Sequence, residues 1–259
     1  MRARALIGCS GWQYESWKGV FYPESLQLSA WLEYYASQFS TVEVNNTFYR
    51  LPEKKTFAGW RRVTPSGFVV AIKASHYLTH LRRLRQPGPP LDRLFRRAAA
   101  LGPRLGPVLY QLPGNLRYDK VRLRRFLKAL ERQSHCAEER SVMAGGPRLR
   151  MRHVIEFRDA SWYRRDVFEA LRAAGVAVCL HDMPGSTLDR GPSRPFLYVR
   201  FHGTAGKYAG GYSDPVLKKW ARTIRRTIAA GRDAYAYFNN DLGGTAVKDA
   251  VTLRNHVGS

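Results

Sequence analysis

The chain has 259 residues, of which 44% are apolar, and its 43 Lys and Arg against 20 Asp and Glu give a net charge of +23. It contains no run of the roughly 18 consecutive apolar residues that a membrane-spanning helix requires, so we predict no membrane span. The cysteines, Cys9, Cys136 and Cys179, form no CxxC pair, which excludes a disulfide framework or a structural zinc site as the basis of the fold. Residues 1–9 do not resemble an export signal, and we predict a cytoplasmic protein.

A charge of this size attracts polyanions at modest salt, which makes nucleic acid a candidate partner. The alternative is compositional. Arginine far outnumbers lysine, and Ala, Gly and Pro are plentiful, as a biased genome would produce without any function. Both interpretations stay open.

Short apolar segments alternate with helical patterns along the whole chain. The first strand is predicted at residues 5–9, and Leu32, Tyr35, Ala36 and Phe39 then recur at helical spacing. The other predicted strands are residues 41–45, 67–74, 107–112, 153–157, 177–182, 196–202 and 234–240. The other predicted helices lie near 53–62, 91–101, from 119, 166–174, from 214 and 244–255. Eight strand–helix units predict an α/β fold, a single (β/α)₈ TIM barrel spanning residues 1–259.

Three local features accompany this rhythm. Residues 133–149 are polar and contain glycine, and we predict an insertion between the fourth helix and the fifth strand. Residues 203–212 form a glycine-rich loop after strand seven, on the face where barrels carry out chemistry. Asp214 and Pro215 are predicted to be the N-cap and first residue of the helix that follows.

Polar residues concentrate at the carboxyl ends of the predicted strands, which converge on one mouth if the barrel closes. Period-two alternation directs Glu43 and Asn45, and likewise Arg200 and His202, to the same side of their strands. The candidate catalytic residues are Glu43, Glu156 and Asp182. The candidate ligands for a phosphate group are Lys73, Arg158, Arg200, His202, Lys207, Asn45, Gln111, Asn239 and Asn240. The alternative is a set of structural ion pairs, such as Glu43 with Lys73 and Glu156 with Arg200.

Two further features surround this mouth. The loops at 203–212 and 239–245 follow strands seven and eight, where barrels often bind phosphate through backbone N–H groups. The aromatic residues Trp12, Tyr14, Trp17 and Tyr49 could form a rim that stacks on bases or sugars, or a hydrophobic lid. No HxH, HExxH or DxD spacing links the acidic residues and histidines, so we predict no metal site, and the cofactor is unknown. Glu43 and Glu156 as a glycosidase pair is a further alternative that depends on their separation.

Several of these segments also carry a resemblance. They read GCSGWxYxxWxGxFYP at 8–23, TVEVNNTFYRLP at 41–52, KASxxLTH at 73–80, GPVLYQLP at 106–113, EFRxxSW at 156–162, VRFHG at 199–203 and YFNND at 237–241. Together they resemble the YecE-like family, domain of unknown function 72, over nearly the whole chain. The resemblance implies a TIM barrel. It also implies a likeness to barrels of the endonuclease IV and xylose isomerase type, whose dense metal-binding set this sequence lacks.

Three functional hypotheses follow. The first is a phosphate-bearing ligand bound at the mouth, with nucleic acid or a damaged nucleotide hydrolysed by Glu43 or Glu156 as general base. The second is an isomerase or lyase acting on a phosphorylated sugar or similar metabolite. The third is a non-catalytic nucleic-acid-binding module whose affinity comes from basic outer helices such as residues 117–132. The oligomeric state is not predicted.

Overall fold

The structure is a computed structural model, and it describes residues 2–183, 195–205 and 208–258. Eight parallel strands form a nearly closed barrel in the order β1–β8–β7–β6–β5–β4–β3–β2. The strands are β1 (Ala5–Cys9), β2 (Thr41–Val44), β3 (Val69–Lys73), β4 (Leu105–Gln111), β5 (His153–Glu156), β6 (Val176–His181), β7 (Leu197–Phe201) and β8 (Ala234–Phe238). The TIM-barrel prediction and all eight strands are confirmed.

Helices follow the strands on the outside of the barrel. They are α1 (Trp31–Gln38), α2 (Asn46–Tyr49), α3 (Lys54–Val63), α4 (Gly88–Ala98), α5 (Lys120–Met143), α6 (Arg165–Ala173), α7 (Asp214–Ala229) and α8 (Thr245–Gly258). Short 3₁₀ or π turns lie at Glu15–Trp17, Leu28–Ala30, Tyr77–Leu81, Ala99–Arg104, Ala160–Trp162 and Leu242–Gly244. Residues 184–194, between β6 and β7, lie outside the described part of the chain.

A buried tyrosine joins β1 to β2 and helps to close the barrel. The Tyr35 hydroxyl accepts a hydrogen bond from the Cys9 backbone N–H at 2.8 Å and donates to the Thr41 carbonyl at 3.0 Å. Gly8 allows this close approach, because a Cβ at that position would lie 2.3 Å from the Thr41 carbonyl oxygen. The contact between β1 and β2 therefore depends on the Tyr35 hydroxyl of α1 and on the absence of a side chain at Gly8 of β1.

Apolar side chains pack on both faces of the strands. The larger cluster packs the outward strand faces against the helices, as parallel strands covered by helices require. The smaller one fills the barrel interior with ten buried residues, Leu6, Ala71, Leu109, Val154, Ala177, Cys179, Phe196, Tyr198, Tyr235 and Tyr237. Since this interior is packed, ligands can approach only from the two ends of the barrel.

Two predicted boundaries are wrong. Residues 133–143 are not an inserted loop but the last three turns of α5, in which Ala137 is buried among good helix formers. The N-cap position of α7 is Ser213 rather than Asp214, so Asp214 lies in the first turn, where its negative charge favours the helix dipole.

None of the helices in the described residues is both long enough and apolar enough to span a membrane.

Candidate functional site

A buried arginine on β7 stands at the centre of the mouth. Arg200 is 1% exposed and contacts one glutamate on each side. Its Nε and Nη2 lie 3.0 and 2.9 Å from Glu43 Oε1, and its Nη1 lies 2.9 Å from Glu156 Oε2. Burial opposes the charge of Arg200, but the two carboxylates hold its pKa well above the ordinary value. The three side chains form one ion-pair network inside the barrel.

The remaining carboxylate oxygens of the network are also occupied. Glu156 Oε1 accepts from Arg158 Nε at 2.5 Å. Glu43 accepts from the Ser10 hydroxyl at 2.7 Å on Oε1 and from the Tyr198 hydroxyl at 2.5 Å on Oε2. Both glutamates are 0% exposed. Every carboxylate oxygen of the network therefore accepts at least one hydrogen bond.

The charge state of Glu156 follows from its neighbours. Burial alone would raise its pKa, but the guanidinium groups of Arg200 and Arg158 hold the pKa well below the usual range. A carboxylate stabilised in this way is a weak base. The geometry therefore gives Glu156 the properties of a positioning group for the two arginines.

A second polar chain begins at the end of β6. Asp182 Oδ1 accepts from the His202 backbone N–H at 2.8 Å and lies 3.1 Å from His202 Nδ1, while Oδ2 accepts from the Tyr212 hydroxyl. His202 Nε2 lies 3.1 Å from Arg158 Nη2. Burial lowers the pKa of His202, and its Asp182 hydrogen bond opposes that shift. This chain links the loop after β7 to the ion-pair network.

Lys73, at the end of β3, differs from the other cations of the mouth. Its ammonium lies 4.2 Å from the centre of the Phe48 ring, and it makes no hydrogen bond or ion pair within the described residues. Burial, followed by the positive charge of Arg200, lowers the pKa of Lys73 to about 8. Lys73 is only partly buried, so it is a cation that a ligand can reach.

Asp241, after β8, is the acidic counterpart of Lys73. Its Oδ1 is buried and lacks a hydrogen-bond partner among the described residues. Burial raises the pKa of Asp241 to about 7, although Tyr14 and Arg200 oppose the shift. A carboxyl and an amine with pKa values of about 7 and about 8 thus lie at the same mouth, after β8 and at the end of β3.

The predicted amide ligands lie at the mouth but differ in access. Asn45 Nδ2 donates to Asn239 Oδ1 at 3.2 Å, and Gln111 is partly exposed at the end of β4. Asn240 is 0% exposed and donates to Asp249 at 2.8 Å and to the Gly210 carbonyl at 2.9 Å, which is a structural role. Lys207 lies outside the described residues.

The loop after β7 satisfies several of its own polar groups. The Gly203 N–H donates to the Tyr212 hydroxyl at 2.7 Å, and the Thr204 hydroxyl donates to the Gly211 carbonyl at 2.8 Å. Gly203 has φ +102°, and a Cβ there would lie 2.1 Å from the Ala209 carbonyl oxygen. This glycine serves a close approach within the loop, and its N–H is already used.

The predicted aromatic rim divides into core and surface. Trp12 and Trp17 are 5% and 0% exposed and pack against Trp60 and Phe21, so they are core residues and do not present a stacking face. The reason is that Trp12 packs against α3 and Trp17 packs against another aromatic ring of the same loop. Tyr14 is partly buried, and Tyr49 is 84% exposed beside the mouth.

No group of three or more His, Cys, Asp or Glu side chains suited to holding a metal ion occurs within residues 2–183, 195–205 and 208–258. The acidic residues of the mouth are instead distributed among arginine, tyrosine and histidine partners. The pairing alternative raised from the sequence is correct for Glu156 with Arg200. It is wrong for Glu43, whose cationic partner is Arg200 and not Lys73.

Comparison with known proteins assigns the family. The family described as protein of unknown function DUF72 matches residues 6–259. The chain belongs to the DUF72 family. A DUF72 family protein from Thermotoga maritima MSB8 has a solved structure with a TM-score of 0.80 and 27% identity, covering 98% of this chain and 99% of that one.

A second relative was found by sequence comparison. The UPF0759 protein YunF of Bacillus subtilis (strain 168) is 25% identical over 281 residues, which cover 95% of this chain and 92% of that protein. A D-allulose 3-epimerase from Methylomonas sp., solved in complex with D-allulose, has a TM-score of 0.54 at 12% identity and covers 95% of this chain and 96% of that one. This last likeness shows the barrel fold alone.

Two tyrosines of this DUF72 site are not among the residues predicted from the sequence. Tyr198 lies two residues before Arg200 on β7, so strand alternation would have placed it on the inward face. Tyr212 reaches Asp182 from a loop, and no spacing in the sequence indicates that contact.

Proposed function

We propose that the mouth of this barrel binds a small anionic metabolite, such as a phosphorylated sugar, and catalyses proton transfer on it as an isomerase or lyase. The observation that carries the proposal is Lys73, a partly accessible ammonium without an acidic partner in the described residues. Arg158, with 13% of its side chain exposed, adds a second positive charge nearby. Together they provide charge-assisted donors for a phosphate or carboxylate group.

The proton-transfer part rests on the two groups that titrate near neutral pH. Efficient general acid–base catalysis requires a pKa near the working pH. Asp241 and Lys73, with pKa values of about 7 and about 8, meet this condition, whereas Glu156 does not. Pairs of titratable groups whose environments shift their pKa values often divide the acid and base roles of a reaction.

A balanced step can be written for an aldose or ketose phosphate. A base removes the proton from the carbon next to the carbonyl, an acid protonates the carbonyl oxygen, and an enediol results. Returning the carbon-bound proton to the former carbonyl carbon, while the hydroxyl on the other carbon gives its proton back to the conjugate base of the acid, completes the isomerisation without another reactant. In this scheme Asp241 accepts the carbon-bound proton and Lys73 supplies the proton to oxygen. Glu43, Glu156 and Arg200 position the surrounding groups.

The test is hydrogen exchange with solvent. The protein is incubated in D₂O with a panel of pentose and hexose phosphates, and proton NMR follows loss of the signal next to the carbonyl. Lys73→Met and Asp241→Asn should each slow exchange by about 10² to 10⁴-fold. Lys219→Met, which removes the same charge from the exposed face of α7, is the matched control and should leave exchange unchanged.

Binding is measured separately by calorimetry with inorganic phosphate and the same sugars. Binding that Lys73→Met weakens, without any exchange in the wild-type protein, would retain the anion site and reject the proton-transfer chemistry. No binding of any of these probes would overturn the whole proposal. The hydrolytic nucleic-acid hypothesis would gain support only if DNA bound at the mouth and Lys73→Met abolished that binding.

A further inference from the structure

The end of the barrel opposite the mouth contains a cavity of about 540 Å³. Its inner wall is the first layer of the barrel interior, with Leu6 of β1, Val69 of β3 and Tyr235 of β8. Cavities of about 300 to 1,000 Å³ are typical of small-molecule sites. The amino-terminal face of a TIM barrel ordinarily serves stability, so an open cavity here has no obvious structural purpose.

The lining of the cavity is strongly cationic. Among the described lining residues, six are arginines and Asp233 is the single acidic residue. The arginines are Arg2, Arg4, Arg148, Arg150, Arg152 and Arg232. They come from three separate segments of the chain, before β1, before β5 and before β8. Like charges gathered in this way repel one another, and an anion would offset that repulsion.

The one carboxylate is already engaged on both oxygens. Asp233 Oδ1 accepts from the Arg4 backbone N–H at 2.8 Å, and Oδ2 accepts from Arg152 Nη1 at 2.5 Å. Arg152 Nη1 also donates to the Tyr235 hydroxyl at 2.7 Å. These contacts fix Arg152 in the wall, and Asp233 has no further oxygen to neutralise the other arginines.

The outer arginines have weak partners. Arg148 is 83% exposed and lies 4.0 Å from Glu138, a contact that contributes little in water. Arg2 and Arg150 are exposed and make no ion pair within the described residues. Their side chains can therefore turn to a ligand without breaking an existing interaction.

We propose that this cavity binds a compact polyanion with two or more phosphate groups, a nucleoside di- or triphosphate or a short inorganic polyphosphate. A guanidinium group can bind two oxygens of a phosphate at once through parallel N–H···O hydrogen bonds, so several arginines suit a ligand with several phosphates. Six arginines around one concave space match a chain of linked phosphates. A concave space of about 540 Å³ fits a compact ligand rather than a nucleic-acid duplex. The proposal does not depend on the function proposed for the mouth.

The test is isothermal titration of the full chain with tripolyphosphate and with ATP at constant ionic strength. We expect one molecule bound per chain and a loss of affinity of about tenfold or more in the Arg2→Ala/Arg150→Ala variant. The matched control is Arg124→Ala/Arg125→Ala, which removes the same charge from exposed positions on α5. The control should bind as the wild type does. Tighter binding of ATP than of tripolyphosphate identifies a nucleotide, and equal binding identifies the phosphate chain alone.

Two results would overturn the proposal. One is an equal loss of affinity in both double variants, which would mean that the net charge attracts anions without a site. The other is that a DNA duplex binds to saturation through several contacts with each chain, while neither tripolyphosphate nor ATP binds measurably. Because Arg2 and Arg150 are exposed, both variants should unfold at the wild-type temperature, which a thermal melt checks.

Discussion

The balance of positive and negative side chains differs between the two ends of the barrel. At the mouth, Glu43 and Glu156 share Arg200, and every carboxylate oxygen of the pair accepts a hydrogen bond. At the cavity opposite the mouth, the described lining residues include six arginines and one aspartate. The net charge of +23 therefore says little about the mouth, where Glu43 and Glu156 are matched by Arg200 and Lys73 is a cation without an acidic partner among the described residues. The excess of positive charge in the sequence is therefore distributed unevenly in the folded chain.

This difference has an energetic meaning. A buried ion pair repays its loss of hydration only when all partners are present, so the mouth should respond strongly to single changes. The cavity residues Arg2, Arg148 and Arg150 are exposed, and their hydration changes little when one is removed. The ion-pair network of the mouth should thus govern stability, and the exposed arginines of the cavity should govern affinity for polyanions.

The largest expected effect is that of Arg200→Met. It leaves Glu43 and Glu156 buried without their shared cation, and we expect the free energy of unfolding to fall by about 3 to 5 kcal/mol. Urea denaturation measures this loss. Arg152→Met is the counterpart at the cavity, where the pair with Asp233 is 22% and 18% exposed, and it should cost much less. Equal losses would remove the contrast between the two ends.

Asp241→Asn should stabilise the protein at pH 8. The folded-state pKa of about 7 lies above the ordinary value of 3.8, so the folded chain retains a proton that the unfolded chain has lost. Stability from this group is present below about pH 4 and is lost as pH rises through 7. We expect a gain of about 2 kcal/mol at pH 8, about half the full linkage value because the side chain keeps some contact with water. At pH 4 the variant and the wild type should unfold alike, and a difference that persists there would contradict the titration of Asp241.

The eight strands could be predicted because each is a short apolar run that ends in polar residues. That pattern is local, and convergence of the strand ends follows from the barrel itself. Glu43, Glu156 and Arg200 were therefore expected at one site. The long α5 was missed because Ser134 and the glycines after Ser141 resemble a connection, while burial of Ala137 against the barrel decides for a helix.

The partners and access of the site residues could not be predicted. Trp12 and Trp17 lie in the loop after β1, and only the packing of that loop shows that they are core residues. Glu43 chooses Arg200 rather than Lys73, a matter of side-chain reach across the barrel. The cationic cavity is assembled from three distant segments, and its arginines are indistinguishable in sequence from those on the outer helices.

His153→Gln tests a polar group that lies outside both charged regions, at the start of β5 beside the cavity wall. Burial lowers the pKa of His153 to about 3, and the unfolded chain has the ordinary value of 6.5. Stability from the neutral ring is present above 6.5 and falls as pH decreases, since only the unfolded chain takes up the proton. We expect the wild type to lose up to about 1.4 kcal/mol per pH unit below pH 6 from this residue alone. The Gln variant should lose less between pH 6 and pH 5 in parallel urea titrations, and identical slopes would exclude His153 as the source.

The smallest expected effect is at the cavity, where removing a negative charge should strengthen anion binding. Asp233→Asn removes the acidic residue of the cavity lining and leaves an amide oxygen that can still accept from Arg152 or from the Arg4 backbone. Its stability cost should be about 1 kcal/mol, typical of a lost charge-assisted hydrogen bond at a partly exposed site. Tripolyphosphate should bind at least about threefold more tightly, because each unit of negative charge roughly 6 Å from Asp233 is repelled by about 0.7 kcal/mol in water. Glu33→Gln, an exposed change on α1, should leave the affinity unchanged. Weaker binding in the Asn variant would mean that anchoring Arg152 matters more than removing the charge, and that the cavity, like the mouth, depends on a complete ion pair.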